Sequence, residues 1–253
     1  LFNEEDRRLI ASLRHETEDW TLKSLDAAFI HLSFAHRIKD LDPAMAIFRA
    51  ITAEEEAATA LLRALQIRVY DEPKELRPRD HLQKAAVYPY LCAIAKHTSH
   101  LRMSGVKDVR FGMLKGEGIA RLQLAFLLDG DNDGNYVRAN PPLNLRIREA
   151  GDVVNYQKYF RELISPSGVE DIRKYLDIKK NQRNLLLYAS PQGLRNPGPV
   201  ADPTLLDYKY RVMTILKATL LIWPYKEVQP FAKEAVHSFL GLVGRLRNVA
   251  DAT

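Results

Sequence analysis

The stretch Pro43–Arg68, PAMAIFRAITAEEEAATALLRALQIR, constrains the fold more than any other part of the chain. After its first residue it contains neither glycine nor proline, and it is rich in Ala, Leu and Glu, all strong helix formers. With Ala44 at zero and about 100° per residue, Ile47, Phe48, Ile51, Ala58, Leu62 and Leu65 fall in one stripe. A helix this long must bury that stripe against other elements. Pro43 suits the first helical position, with Asp42 before it as cap.

The segments around it read the same way. Asn3 before Glu4, Glu5 and Asp6 is helix-start chemistry. Leu9, Ile10 and Leu13 give a short apolar face, which Arg14 and His15 close. A second helix runs over Trp20–Ile38, with Leu22, Leu25, Phe29, Leu32 and His36 at helical spacing. A polar connection, Asp71–Pro78, leads to a fourth segment over Arg79–Leu101. Its apolar run AAVYPYLCAIA predicts a central, buried helix with a kink at Pro89.

Beyond residue 102 the pattern changes. Val106–Leu114, Ile119–Leu128 and Leu143–Arg148 read as strands, with turns at Lys115–Gly118 and Asp129–Gly134. Helices return over Asn155–Leu163 and Val169–Asn181, and Asn184–Ala189 reads as one more strand. Ser190–Pro203, rich in Pro and Gly, is a loop. Thr204–Trp223 and Pro230–Val249 close the chain as helices. The expected fold is mainly α: an N-terminal helical bundle, a small antiparallel β-sheet in the middle and C-terminal helices, α+β overall. Residues 1–102 form the bundle and 103–253 the mixed region, as two domains or as one.

The 253 residues are 46% hydrophobic and 27% charged, enough to build a sizeable core. The net charge of +5 suits RNA or another acidic partner. The densest basic stretches, Arg173–Arg183 and Arg245–Arg247, serve that purpose or form solvated helix faces. The single cysteine, Cys92, cannot form an intramolecular disulfide and reads as a small buried hydrophobe. A reducing, cytoplasmic setting fits this cysteine usage. No apolar run is long enough to span a bilayer, so no membrane association is expected. The opening LFNEEDRRLI is unlike a signal peptide, and its lack of Met predicts that the sequence starts inside a longer chain. Walker and GxGxxG loops, a nucleophile elbow, HExxH and paired CxxC are absent, which excludes the enzymes that depend on those motifs.

Two constellations could carry chemistry. Glu55 falls near the middle of the apolar stripe of the third helix, Glu54 at its edge, and Glu56 points away. A carboxylate on a packing face needs a partner or a proton. On the second helix His36, Ser33 and Asp26 share the apolar stripe, while His31 lies opposite. Glu55 should therefore face His36 or a base from the start of the fourth helix, where Arg79, His81 and Lys84 stand. Such a cluster either fixes helix register or forms a functional site. The second constellation is DGDNDGNYVRAN over residues 129–140. Asp129, Asp131 and Asp133 followed by Gly134 match the first half of a calcium loop. Asn140 replaces the expected bidentate Glu, and the same residues also suit a hairpin turn. His97 and His100 read as helix-end histidines, which suit the negative end of the dipole. Tyr88, Tyr90, Tyr156, Tyr159 and Phe160 either stack on bases or pack in the core.

The order of third helix, polar connection and fourth helix, AIFRAITAEEEAATALLRAL then RDHLQKAA, resembles the HEPN-type helical domains of the abortive-infection branch over about residues 44–100. What carries the resemblance is an Ala-rich helix with paired Glu, a short connection and a His/Lys-rich helix start. It implies an RNA-associated protein of prokaryotic defence, either a metal-independent RNase or an RNA-binding component. The RNases of that family pair an Arg with a His with four to six residues between them. Here only Arg8 and His15 fit that pairing, and they lie on the first helix. The resemblance implies a His as acid–base, an Arg as charge stabiliser and Glu55 as the group that orients them; the candidates here are His36, His81 and Arg79, with Arg77 and Arg79 closer to His81 than the family's spacing. No cofactor is implied. Two further readings remain: a non-catalytic protein-interaction module, which could form oligomers, and a cation- or ligand-sensing domain using residues 129–140 and Ca²⁺.

Overall fold

Helix starts in this chain are set by short-range capping. In a computed structural model, Asn3 Oδ1 accepts the Asp6 N–H at 2.8 Å and the Asp6 carboxylate accepts the Asn3 N–H at 2.9 Å. This reciprocal pair opens α1 (Glu4–Arg14). Asp42 accepts the Met45 N–H at 3.0 Å and, with Pro43 behind it, opens α3 (Pro43–Ile67). The structure describes residues 1–14, 20–70, 75–100, 106–114, 121–128, 136–145, 148–149, 152–153, 160, 165–187 and 198–250.

The other helices are α2 (Trp20–Ile38), α4 (His81–His100), α5 (Pro166–Leu187), α6 (Asp202–Ile222) and α7 (Pro230–Ala250). β1 (Val106–Leu114), β2 (Arg121–Leu128) and β3 (Tyr136–Arg138) form an antiparallel meander in that order. A two-stranded ladder joins β4 (Arg148–Glu149) to β5 (Asp152–Val153). The protein is mainly α with a small antiparallel sheet in the middle, as expected. Among the described residues no helix is long and apolar enough to cross a membrane.

α3 is the centre of the packing. Ala46, Ala50, Ala53, Ala57, Ala58, Ala60 and Ala64 have no exposed surface, because α2 and α6 pack closely against it and α4 and α5 add to the cover. Small side chains permit that approach; larger ones would hold the helices apart. α2 runs antiparallel to α3, since Trp20 meets Arg63 and Phe34 meets Arg49. The buried cluster is continuous from Leu9 to Leu246, so helices on either side of residues 102–106 share one core. Polar ties join its parts. Tyr225 donates to the Leu122 carbonyl of β2 at 3.1 Å. The fully buried Gln229 donates to Leu221 O at 2.8 Å and accepts the Leu143 N–H at 2.7 Å.

Four expectations change. Residues 143–145 are not strand, since Leu143 gives its N–H to Gln229 in a turn, and Arg148 pairs with Val153 in β4; β2 pairs instead with Tyr136–Arg138. Asn184–Leu187 continues α5, with Leu186 buried, because the helical period of the preceding turns carries on and no β-branched residue opposes it. α4 is not buried all round. It turns Ala86, Val87 and Tyr90 inward and leaves Ala95 and Lys96 exposed. Cys92 lies on that outer face, exposed, and is not a core residue. The turns at 115–118 and 129–134, and all but residue 160 of the helix expected over Asn155–Leu163, lie outside the described residues.

Candidate functional site: an arginine-lined groove beside a glutamate–histidine pair

The face of α3 that carries Glu55, Thr59, Arg63 and Gln66 follows helical spacing of four, four and three residues, so these side chains form one row. The connection from Glu75 to Asp80 lies against this row. Gln66 donates to Leu76 O at 2.5 Å, and the Thr59 hydroxyl lies 2.9 Å from Glu55 O and 3.5 Å from Pro78 O. Gln83, only 1% exposed, pins the connection from the other side. It accepts the Arg77 N–H at 2.7 Å and donates to Glu75 O at 2.8 Å. Asp80 caps α4 by accepting the Gln83 N–H at 3.0 Å, while its other oxygen pairs with Arg247 of α7. A connection that looks like a loop in sequence is therefore held in one conformation.

Between the row and the connection is an open groove of about 500 Å³, lined by Arg63, Gln66, Arg77, Pro78, Arg79 and Asp80. Three arginines and one aspartate are among its lining residues, and the aspartate is already engaged by Arg247. Arg77 and Arg79 are exposed. Planar guanidiniums suit phosphate or carboxylate oxygens.

Immediately beside the groove, Glu55 Oε2 lies 3.3 Å from His81 Nδ1 and accepts from Lys84 Nζ at 3.3 Å. Lys84 is 11% exposed at its side chain, Glu55 20% and His81 65%. The carboxylate thus holds one ring nitrogen of a histidine that is otherwise open to solvent. That arrangement fixes the orientation of the ring.

The structure therefore brings Glu55, His81 and Lys84 together and puts Arg79 on the same rim. It does not bring His36. The antiparallel pairing of α2 and α3 sets His36 level with Ile47, about 12 Å along the helix from Glu55 at 1.5 Å per residue. The buried His36 Nδ1 makes no hydrogen bond among the described residues, and the ring lies near Asp202. That carboxyl is held below its usual range chiefly by Lys39 and less by His36. Ser33, expected on the packing face, is exposed. His15, Tyr156, Tyr159, Asp129, Asp131 and Asp133 lie outside the described residues, as do the side chains of His97 and His100. Among the described residues no group of three His, Cys, Asp or Glu could hold a metal ion.

A second ionic cluster escaped the sequence reading. Glu54, not Glu55, is the carboxylate deepest in the packing, at 7% side-chain exposure. It accepts from Tyr175 Oη at 3.0 Å, Lys179 Nζ at 2.9 Å and Arg211 Nη1 at 3.3 Å. Arg211 also pairs with Asp207 at 2.5 Å. The Lys179 ammonium lies 4.1 Å from the Tyr208 ring centre, and the Arg211 guanidinium 5.0 Å from it. Burial pushes the Lys179 pKa down, and Glu54 opposes that shift. Two carboxylates and two cations balance, and only Asp207 reaches solvent appreciably. This cluster joins α3, α5 and α6. Its trace in the sequence is the i, i+4 spacing of Tyr175 with Lys179 and of Asp207 with Arg211. The basic stretch Arg173–Arg183 is consequently not a plain solvated face, since Tyr175 and Lys179 turn inward.

The fold and the groove define an α-rich protein with an open cationic cleft at a helix–connection–helix junction. Compared with protein-family models, curated proteins and solved structures, the chain returns no match.

Proposed function

We propose that this is an RNA-associated protein, of the kind its resemblance to HEPN-type domains implies, which holds the phosphate backbone in the groove and cleaves it without metal at His81. The observation that carries the reading is the Glu55–His81 pair standing at the edge of a groove lined by Arg63, Arg77 and Arg79. RNA brings its own nucleophile, the 2′-hydroxyl, so the protein need only position, neutralise and move a proton. In the proposed step the 2′-oxygen bonds to the adjacent phosphorus and the 5′-oxygen leaves. His81, oriented by Glu55, accepts the 2′ proton, Arg79 stabilises the added charge on phosphorus, and solvent protonates the leaving oxygen. A role in prokaryotic defence, in a cytoplasmic setting, follows from the resemblance alone.

The test is incubation of purified protein with cellular RNA, with and without EDTA, read on a denaturing gel beside His81→Ala and Arg79→Ala. Cleavage should survive EDTA and fall by about 10²-fold or more in His81→Ala. RNA affinity should fall steeply with salt, and Arg79→Ala should reduce the slope of log affinity against log salt by about one. Binding without cleavage would remove the role given to His81. Absence of salt-sensitive binding would sink the reading.

A further inference from the structure

Two exposed aromatic rings on α2 are each covered by arginine from α3. Trp20, 56% exposed, has the Arg63 guanidinium 3.7 Å from its ring centre. Phe34, 40% exposed, has Arg49 at 5.0 Å and Arg37 of its own helix at 5.5 Å. Trp20 and Phe34 stand fourteen positions apart, two heptads, which returns both rings to the same face of α2, about 21 Å apart at 1.5 Å per residue. Arg49, Glu56 and Arg63 repeat every seven residues on α3. The two rows meet along the α2–α3 seam. His31 lies between them, its pKa lowered by burial and by Arg49, with Glu56 opposing.

Large aromatic side chains normally gain by burial. Here two remain open to solvent, each beside a cation, along one line. Arg37, Arg49 and Arg63 outnumber Glu56 on this seam. Arg63 belongs both to the seam and to the groove, since it lies over Trp20 and also lines the cleft. A path thus continues from the arginine-lined groove along α2 and α3, offering π-faces and positive charge. That pairing suits unstacked bases on a polyanionic backbone, and not a duplex, whose bases stack on each other.

We infer that the α2–α3 seam is a platform for single-stranded RNA, with Trp20 and Phe34 stacking bases and Arg37, Arg49 and Arg63 taking the adjoining phosphates. This rests on the reading of the groove as an RNA site and adds to it the strand state and the track. Trp20 provides its own probe, because the chain has two tryptophans and the other, Trp223, is buried. The experiment titrates the full chain with an oligouridine of about twelve nucleotides, single-stranded or annealed to its complement, and records tryptophan quenching and anisotropy. Trp20→Ala, Phe34→Ala and Trp20→Phe are run alongside, and thermal unfolding checks that each stays folded. Single strands should quench Trp20. Each alanine variant should bind single strands about tenfold more weakly, with duplex affinity unchanged, and Trp20→Phe should retain most of the affinity. Single-strand affinity unchanged in both alanine variants, with no quenching in the parent, would overturn the seam and leave the groove reading standing. If the parent protein bound neither RNA, the groove reading would fall and the seam with it.

Discussion

Glu54 and Glu55 are adjacent in the chain and differ by 100° on the helix, and this angle gives them different chemistry. Glu54 sits where α5 and α6 close over α3 and is surrounded by Tyr175, Lys179 and Arg211. Glu55 reaches the rim, where His81 and Lys84 meet it near solvent. Removing Glu54 leaves two largely buried cations with one half-exposed carboxylate. Glu54→Ala should therefore cost about 3–5 kcal/mol in urea unfolding. Glu54→Gln should cost less, because the amide oxygen can still accept from Tyr175. Glu55→Ala should cost about 1 kcal/mol or less, the range of partly exposed pairs. Equal losses at the two positions would contradict this division into a closed lock and an open site. The sequence placed both carboxylates near the packing face of α3 but put the wrong one at its centre. The reason is that the burying face follows from where α5 and α6 lie, and their positions cannot be read from the period of α3 alone.

At the scale of elements, helix ends decide how the site is held. After α3 the Val69 N–H bonds Gln66 O at 3.0 Å and the Tyr70 N–H bonds Leu65 O at 3.1 Å. This is the Schellman pattern, with Val69 in the left-handed position at φ 57°. Glycine is usual there; a β-branched residue costs about 1–2 kcal/mol. Val69 is 62% exposed, so it recovers little by packing. Val69→Gly should raise stability by about 1 kcal/mol after glycine's own entropic cost, seen as a higher urea midpoint with unchanged slope. A lower midpoint would show that the side chain contributes packing that outweighs the strain. The next element boundary, Asp80 with Gln83, is legible as a cap signature three residues apart. What cannot be read is that Gln83 turns back to Arg77 and Glu75 and so fixes the wall of the groove.

For the whole molecule, the buried phenols set the response to alkali. Tyr70, Tyr88, Tyr90, Tyr175, Tyr208 and Tyr225 all have pKa values raised above the ordinary one, in each case chiefly by burial. Glu54 adds to the shift at Tyr175 and Tyr208. In the unfolded chain these groups lose protons near pH 10, whereas in the folded chain they retain them. Over that window the folded state binds more protons, so stability falls as pH rises. Lys179 acts in the opposite sense, one group against six. Denaturant midpoints should hold steady up to about pH 9 and drop progressively above pH 10. Tyr175→Phe should flatten that drop, and a flat profile in the parent protein would contradict the burial of these rings.

The sequence by itself determined most elements and their class. The long α3, the span of α2, the caps at Asn3 and Asp42, and two of the three strands of the meander follow from local periodicity and capping, which act within a few residues. It also indicated that a carboxylate of α3 would meet either His36 or a base from the start of α4. Only the tertiary structure decided which residues converge. His36 was as well placed as His81 on its own helix, but the antiparallel register of α2 against α3 carries it two turns away. The groove combines α3, the 75–80 connection and a contact from Arg247 of the last helix, and Arg63 links it to Trp20. Contacts between residues so far apart in the chain depend on how helices pack, and packing is set by the whole core rather than by any one segment.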